Sequence, residues 1–278
     1  MTDEQRALEA QVTDLRAEGD DLDRLLATLA PDDWSRPTSF KGWTVWDVVA
    51  HLHFSDHMGM TSLRGEAAFR ELMRNVADAR RSDAAKSMAQ FTREWLGAIS
   101  GDALRARWRT LLGSLCDALA AADPETRLAW AGPGMRPRMF ATARQMETWA
   151  HGSEIYDLLG VRRIETDRLK NVAAIGVRTY GWTFANRKLD LPGPAPHVRL
   201  VAPSGATWAW NDRQPDNAVE GDALEFCQVV TQVRNVADTK LTVTGLPAQQ
   251  WMAIAQCFAG PPEDPPTPGS RVPMPRTR

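Results

Sequence analysis

Residues 42–52, Gly-Trp-Thr-Val-Trp-Asp-Val-Val-Ala-His-Leu, predict the start of a helix that carries a histidine beside its apolar face. Thr44 is a suitable N-cap, and Asp47 at the third helical position can complete a capping box with it. His51 follows Val48 by three residues and Asp47 by four, so it can share the buried side of the helix. The apolar face consists of Val45, Val48, Val49 and Leu52.

Helical periodicity continues on both sides of this segment. Apolar residues recur at three- and four-residue steps over most of the first 190 residues, and Pro or Gly clusters separate the periodic segments. Short connections favour antiparallel neighbours, so residues 1–190 are predicted to form a helical bundle. The predicted helices span residues 3–29, 44–60, 65–80, 83–99, 102–121, 138–159 and 167–186.

The pattern changes after the proline-rich segment 191–196, which we interpret as a linker. Alternating apolar and polar residues, a turn and the returning segment 207–210 predict a β-hairpin. The predicted fold class is therefore α+β, with the helical bundle followed by a small α/β domain over residues 197–260 and a flexible proline-rich tail over 261–278. The other predicted elements of the small domain are a helix at 223–233, a strand at 241–244 and a helix at 247–259.

Composition restricts the class of function. The 278 residues are 43% hydrophobic and 24% charged, as in an ordinary globular protein, and the length suggests two domains. A net charge of -2 disfavours nucleic acid and anionic membranes as partners. No apolar run is long enough to span a membrane, and the N-terminus does not resemble a signal peptide. Three widely spaced cysteines fit neither a disulfide framework nor a cysteine zinc site, so we expect a cytoplasmic protein.

A second polar pair lies on the predicted helix 138–159. Glu147 and His151 are four residues apart and therefore occupy one face of that helix. Ala143, Ile155 and Leu159 continue the same stripe, which indicates that the pair faces the bundle interior. A buried carboxylate beside a buried imidazole needs a partner, and a divalent cation is one solution. His51 is the best third ligand, and three protein ligands would leave a coordination position open, as in catalytic zinc sites.

Other interpretations of these residues stay open. Glu147 and His151 could be a hydrogen-bonded or exposed pair without a metal, and His51 could instead pair with polar neighbours on its own helix. His53 and His57 are also four residues apart and form a rival ligand pair, rotated away from His51. Cys116 lies among leucines and is expected to be a core residue rather than a nucleophile. The chain contains no glycine-rich phosphate loop, nucleophile elbow or dinucleotide fingerprint.

Both motifs resemble those of the DinB-like metal-binding bundle family. Residues 42–52 resemble its first metal motif, and residues 147–154, Glu-Thr-Trp-Ala-His-Gly-Ser-Glu, resemble the second, with closest similarity to the mycothiol-dependent maleylpyruvate isomerase branch. The resemblance implies a divalent metal, most simply zinc, held by His51, Glu147 and His151. The departures from the family pattern are Glu154, where the family often has Asp, and the additional His53 and His57.

The resemblance extends to the C-terminal part of the chain. Val233-Arg234-Asn235 and the segment Gly245–Trp251 are similar to the small α/β, sterol-carrier-like domain attached to such bundles. In the isomerase branch an arginine of this domain faces the active site, and Arg234 is the matching candidate for a catalytic residue. We expect Arg234 to enter a pocket shared with the metal and to bind an anionic group there. An interdomain salt bridge is the alternative role.

The resemblance also implies the type of chemistry. Members of the branch bring a low-molecular-weight thiol, mycothiol, to the metal, where the thiolate is favoured over the thiol. The predicted function is therefore a thiol transferase or a cis-trans isomerase acting on a small electrophilic substrate, as a monomer or homodimer. A thiol-independent metal hydrolase or lyase and a non-catalytic metal-binding protein are the alternatives.

Overall fold

A computed structural model describes residues 2–81, 87–130, 132 and 134–271. The chain divides into two compact units, Met1–Leu158 and Leu159–Arg278. Among the described residues, no helix is long and apolar enough to cross a membrane. The α+β fold class is confirmed, since helices dominate and a small sheet lies in the C-terminal unit.

Helices form the first unit, and their bounds follow the predicted pattern closely. Side-chain caps start several of them: Thr2, Thr44, Ser87 and Ser100 each accept a hydrogen bond from the backbone three residues later. The predicted helix at 83–99 is described only from residue 87 onward. The observed helices are α1 (Asp3–Leu26), α2 (Val45–Leu63), α3 (Glu66–Arg81), α4 (Met88–Leu96), α5 (Gly101–Ala120) and α6 (Pro137–Leu159).

The core of this unit lies where α5 packs against α1 and α2. Leu15, Leu52 and Trp108 contribute fully buried side chains from these three helices. A buried hydrogen bond of 2.7 Å from Gln11 Nε2 to Gln145 Oε1 ties α6 to α1. The two helices with the predicted ligands, α2 and α6, are therefore held in one packed unit.

The second unit contains helices and a four-stranded sheet. The strand order is β2-β1-β3-β4, with β1 antiparallel to β2, parallel to β3, and β3 antiparallel to β4. The predicted hairpin and the predicted strand near residue 241 are confirmed. The elements are α7 (Leu169–Arg178), α8 (Tyr180–Asn186), β1 (His197–Val201), β2 (Thr207–Trp210), β3 (Ala218–Asp222), α9 (Ala223–Val230), β4 (Thr242–Thr244) and α10 (Leu246–Ile254).

Two features of this unit differ from the sequence prediction. The single helix expected over 167–186 is two helices, which meet at Thr179, where the backbone leaves helical geometry. Strand β3 was not predicted at all. Its residues, Ala218–Asp222, do not alternate between buried and exposed positions, and Gly and Asp have low β-propensity. Gly221 has φ +150, and the Leu241 side chain occupies the space that a Cβ would need.

The division between the units falls at Leu158 and Leu159, whereas the sequence places the boundary after residue 190. Helix α7 packs against α9, and Tyr180 Oη donates to the Gly193 carbonyl, so these helices and the linker both belong to the second unit. The tail also makes contacts in its described part. Gln232 Nε2 donates to Glu263 O at 2.8 Å, and Asn235 Nδ2 donates to Pro266 O at 2.8 Å. Residues 272–278 of the predicted flexible tail lie outside the described residues.

Candidate metal centre

Helices α2 and α6 bring His51, Glu147 and His151 together. One ligand atom from each residue lies within 4.8 Å of the others. The Nε2 atoms of His51 and His151 are each 3.4 Å from the same atom, Glu147 Oε2. This is the one group of three or more potential metal ligands that the described residues form.

The geometry of these atoms suits a shared ion as well as two long hydrogen bonds. A distance of 3.4 Å exceeds the usual 2.7–3.2 Å of an N–H···O hydrogen bond. Two atoms bound to zinc at ~2.1 Å and at a tetrahedral angle are about 3.4 Å apart. Two imidazoles and one carboxylate also form a donor set that zinc uses in catalytic sites.

The start of α2 fixes the position of His51 along the chain. Asp47 N donates to Thr44 Oγ1 at 3.2 Å, and Thr44 N donates to Asp47 Oδ2 at 2.9 Å, so the predicted capping box is confirmed. Arg93 on α4 adds a 2.7 Å hydrogen bond to the same Asp47 oxygen. Asp47 is thus engaged by the cap and by Arg93, and the polar contact of His51 Nε2 is with Glu147 on α6.

A short hairpin before α2 places two aromatic rings beside the ligands. Trp43 N donates to Phe40 O at 2.9 Å, and both intervening residues, Lys41 and Gly42, have positive φ values of 52 and 68. Positive φ at both central positions is the property of a type I′ turn. Sequence reasoning missed this element, because Lys is not a residue that usually adopts positive φ and Gly42 alone is a weak turn signal.

The two rings contact the ligand imidazoles directly. The Trp43 ring is stacked with His151 at 6.2 Å and meets His51 edge-on at 5.3 Å between centroids. The Phe40 ring meets His151 edge-on at 5.0 Å. The side chains of the ligands are 14–22% exposed, so they are shielded by aromatic rings while still reaching solvent. Phe40 and Trp43 thus restrict the ring orientations of both histidines.

The pKa values of Glu147 and His51 favour the protonation states that bind a cation. Burial opposes ionisation of Glu147, but hydrogen bonds from His151 and His51 outweigh it and hold the pKa of the carboxyl well below its ordinary value. Burial lowers the pKa of His51, against the opposing effect of Glu147. The carboxylate is therefore charged and the His51 imidazole is neutral near neutral pH, which are the protonation states of metal ligands.

His53 and His57 lie in a different environment. Both rings approach Trp95, with centroid distances of 5.6 Å and 5.1 Å, and neither residue joins a group of three ligands among the described residues. Burial, followed by the charges of His57 and Arg107, lowers the pKa of His53 to about 4. These two histidines therefore do not complete the site at His51.

Arg234 and Cys116 occupy buried positions outside the ligand group. Arg234 follows α9, is 8% exposed, and donates from Nη1 to Val233 O at 3.0 Å. The Cys116 side chain is buried in the core, and burial raises the pKa of its thiol to about 12. A thiol with that pKa is not a nucleophile at neutral pH, as the sequence predicted.

Comparison with known proteins shows which family this chain belongs to. Residues 15–156 match the family described as mycothiol maleylpyruvate isomerase N-terminal domain. Two uncharacterised proteins, from two strains of Mycobacterium tuberculosis, are each 42% identical over 254 residues, covering 90% of this chain and 96% of theirs.

Solved structures give the same fold. A crystal structure of the mycothiol-dependent maleylpyruvate isomerase aligns with a TM-score of 0.51 at 14% identity, covering 80% of this chain and 88% of that one. The structure of a histidine-to-alanine mutant of that enzyme aligns with the same TM-score. At this identity the likeness concerns the fold alone.

Proposed function

Because this chain belongs to the mycothiol maleylpyruvate isomerase family, we propose that it is a metal-dependent enzyme that uses a small thiol, mycothiol, on a small electrophilic substrate. The reaction is either S-transfer or cis-trans isomerisation. The proposed ligands are His51, Glu147 and His151, and the proposed ion is zinc. A reducing cytoplasm suits the three buried cysteine thiols and the thiol co-substrate.

The observation that carries this proposal is the approach of two imidazoles to one carboxylate oxygen at 3.4 Å each. A divalent ion bound there supplies stabilisation of a thiolate relative to its thiol. Three protein ligands leave room for a ligand from solution. The partial exposure of all three side chains supports access by such a ligand.

The surrounding residues have separate roles in this proposal. Glu147 contributes negative charge to the site, because its pKa is held well below the ordinary value by the two histidines, against the effect of burial. Phe40 and Trp43 hold the imidazoles and exclude water from one side of them. Arg234 is proposed to bind an acidic group of the substrate or of the thiol through its guanidinium.

The test is turnover with and without thiol. Zinc-loaded protein is incubated with maleylpyruvate and a panel of small conjugated electrophiles, with or without mycothiol, and products are identified by mass spectrometry. Isomerisation regenerates the thiol, whereas transfer consumes one thiol for each product. The proposal fails if turnover is equal without thiol, which indicates a hydrolase or lyase, or if zinc binds and no substrate reacts under either condition.

A further inference from the structure

A buried ion pair connects the two helices that carry the proposed metal ligands. Asp56 on α2 and Arg144 on α6 are 0% and 1% exposed. Arg144 Nε donates to Asp56 Oδ1 at 3.0 Å. Asp56 is five residues after His51, and Arg144 is three residues before Glu147. The pair therefore lies within one to two helical turns of a ligand on each helix.

Two further hydrogen bonds extend this ion pair. Trp108 Nε1 on α5 donates to the second carboxylate oxygen, Asp56 Oδ2, at 3.1 Å. Arg144 Nη2 donates to the backbone carbonyl of Leu52 at 3.4 Å. Leu52 directly follows the proposed ligand His51, so this long contact adds a second link between the two helices, one residue away from that ligand.

Apolar packing alone does not select the rotation of these helices. Buried residues occur on nearly all sides of α2, including Val48, Val49 and Ala50 in succession, and α6 is likewise buried on most of its sides. When a helix is buried on most of its sides, by polar and apolar residues alike, burial does not mark one preferred face. A shift by one residue would move His51 about 1.5 Å along the axis and rotate it by about 100°.

Energetics suggest why such a pair occurs in this place. Removing both charges from water costs much of what their attraction returns, so buried ion pairs add little net stability compared with apolar residues. Their best-attested use is to specify one arrangement among several. We propose that Asp56 and Arg144 are positioning residues that fix the register of α2 against α6 and so hold His51 towards Glu147 and His151. This inference rests on the proposed metal centre for its function.

The experiment distinguishes an effect on the register of α2 against α6 from a general loss of stability. The variant Asp56→Asn/Arg144→Met removes both charges of this pair and keeps an acceptor for Trp108 Nε1. Leu22→Ala is the matched control, because it removes a buried apolar side chain on α1, which carries no ligand. Zinc affinity is measured on the full chain by competition with a chromophoric chelator, and stability by urea unfolding of the metal-free protein.

We expect zinc affinity to fall by about tenfold or more in the double variant, as for other residues that orient metal ligands. Leu22→Ala should keep the wild-type affinity despite lower stability. Arg144→Lys keeps a charge but loses the fork geometry, and it should rescue the affinity only in part. Wild-type affinity in the double variant, or an equal loss in Leu22→Ala, would overturn the inference.

A second readout does not need the metal. The His51 and His151 ring centroids are 4.7 Å apart, so a nuclear Overhauser effect between the rings is expected in the metal-free wild type. The double variant should lose it, and Leu22→Ala should keep it. If the wild type binds no zinc but the double variant loses this contact, the proposed function fails and the register role stands. An unchanged ring contact in the double variant contradicts the register role.

Discussion

At the scale of single residues, both imidazoles of the candidate centre depend on one oxygen of Glu147. Replacing His151 by Ala removes one of the three proposed ligands, and we expect zinc affinity to fall by at least about 100-fold. Helicity should be unchanged, since Ala is the best helix former and apolar packing holds α6. Elemental analysis and circular dichroism measure the two quantities.

His57→Ala is the control for this prediction. His57 is on α2, like His51, but its ring lies against Trp95 and outside the ligand group. This variant should retain about one zinc per chain. If His57→Ala lost the ion while His151→Ala kept it, the ligand assignment would be wrong.

Arg234 differs from the ligands because its predicted role concerns the substrate and not the metal. Arg234→Met keeps the length and removes the charge, so we expect kcat/KM to fall about 10- to 100-fold, the value of about one charge-assisted hydrogen bond. Zinc content should not change. Arg234→Lys should recover only part of the activity, because Lys cannot bind a carboxylate bidentately. Full activity in Arg234→Met would leave Arg234 with a structural role only.

His53 provides a pH-dependent prediction. Burial, His57 and Arg107 lower the pKa of His53 from 6.5 to about 4. Between these values the unfolded chain binds more protons than the folded one, so the free energy of unfolding falls as the pH drops from 6.5 towards 4. His53→Phe removes this contribution. The Nδ1 atom of His53 has no hydrogen-bond partner among the described residues, so the substitution breaks no hydrogen bond of that atom.

Urea unfolding of metal-free protein between about pH 7 and pH 4.5 measures this effect. The slope of unfolding free energy against pH should be smaller in His53→Phe than in the wild type. Equal slopes in the two proteins would show that His53 titrates at the same pH in the folded and unfolded states.

At the scale of elements, the hairpin before α2 connects backbone conformation with the ligand site. Gly42 has φ +68 and no atom within 4 Å of an added Cβ, so Gly42→Ala should cost about 1–2 kcal/mol of stability from the backbone alone. Lys41 has φ 52, and Asn-Gly is the preferred pair in a type I′ turn, so Lys41→Asn should stabilise by about 0.5 kcal/mol.

Chemical unfolding of the two variants tests whether the turn has this conformation. Opposite signs are expected for Gly42→Ala and Lys41→Asn. If both variants were less stable by the same amount, side-chain contacts of Lys41 would outweigh its backbone strain. Lys41 Nζ lies 5.4 Å from the Phe40 ring centroid, which is one contact of that kind.

Elements with local causes could be predicted from the sequence. The Thr44–Asp47 capping box depends on four neighbouring residues, so its residue types alone indicated it. Strand β3 depends on parallel pairing with β1, about twenty residues away, and its own sequence contains Gly221. The four-residue spacing of Glu147 and His151 on α6 could also be recognised in the sequence. The positions of the Phe40 and Trp43 rings could not, because they depend on the turn between these two residues.

The ion pair between Asp56 and Arg144 could not be predicted from the sequence either. Each residue lies in a helix that the sequence predicted, but they are 88 positions apart, and no local pattern connects them. Periodicity is uninformative on helices that are buried on most sides, because polar and apolar residues then share every face. Tertiary contacts therefore decided which polar residues on α2 meet α6.

At the scale of the whole molecule, the residues proposed to bind the metal and the residue proposed to bind an acidic group belong to different units. All three proposed ligands, the hairpin rings and the ion pair lie within Met1–Leu158, whereas Arg234 lies within Leu159–Arg278. The sequence placed this boundary near residue 190, because it assigned every helical segment to the bundle. Helices α7 and α8 belong instead to the unit that contains the sheet.

This division predicts that metal binding and catalysis are separable. A fragment of residues 1–160 contains α1 to α6 and ends at Gly160, whose φ of 62 is typical of a residue that follows a helix. We expect the fragment to be helical and to bind about one zinc, with an affinity within about tenfold of the full chain, since its ligand set is complete. Its thiol-dependent kcat/KM should be lower than that of the full chain by at least the roughly 10- to 100-fold expected for Arg234→Met, because it lacks Arg234.

Circular dichroism, zinc titration and the thiol-adduct assay together decide this prediction. A helical fragment that binds no zinc would mean that the second unit supplies a ligand, or the order that the ligands require. A fragment with full turnover would remove Arg234 from the reaction and assign the whole chemistry to the bundle. Zinc binding with turnover lowered at least about tenfold is the expected result, since the fragment keeps the proposed metal ligands but lacks the guanidinium that is proposed to bind an acidic group of the substrate or of the thiol.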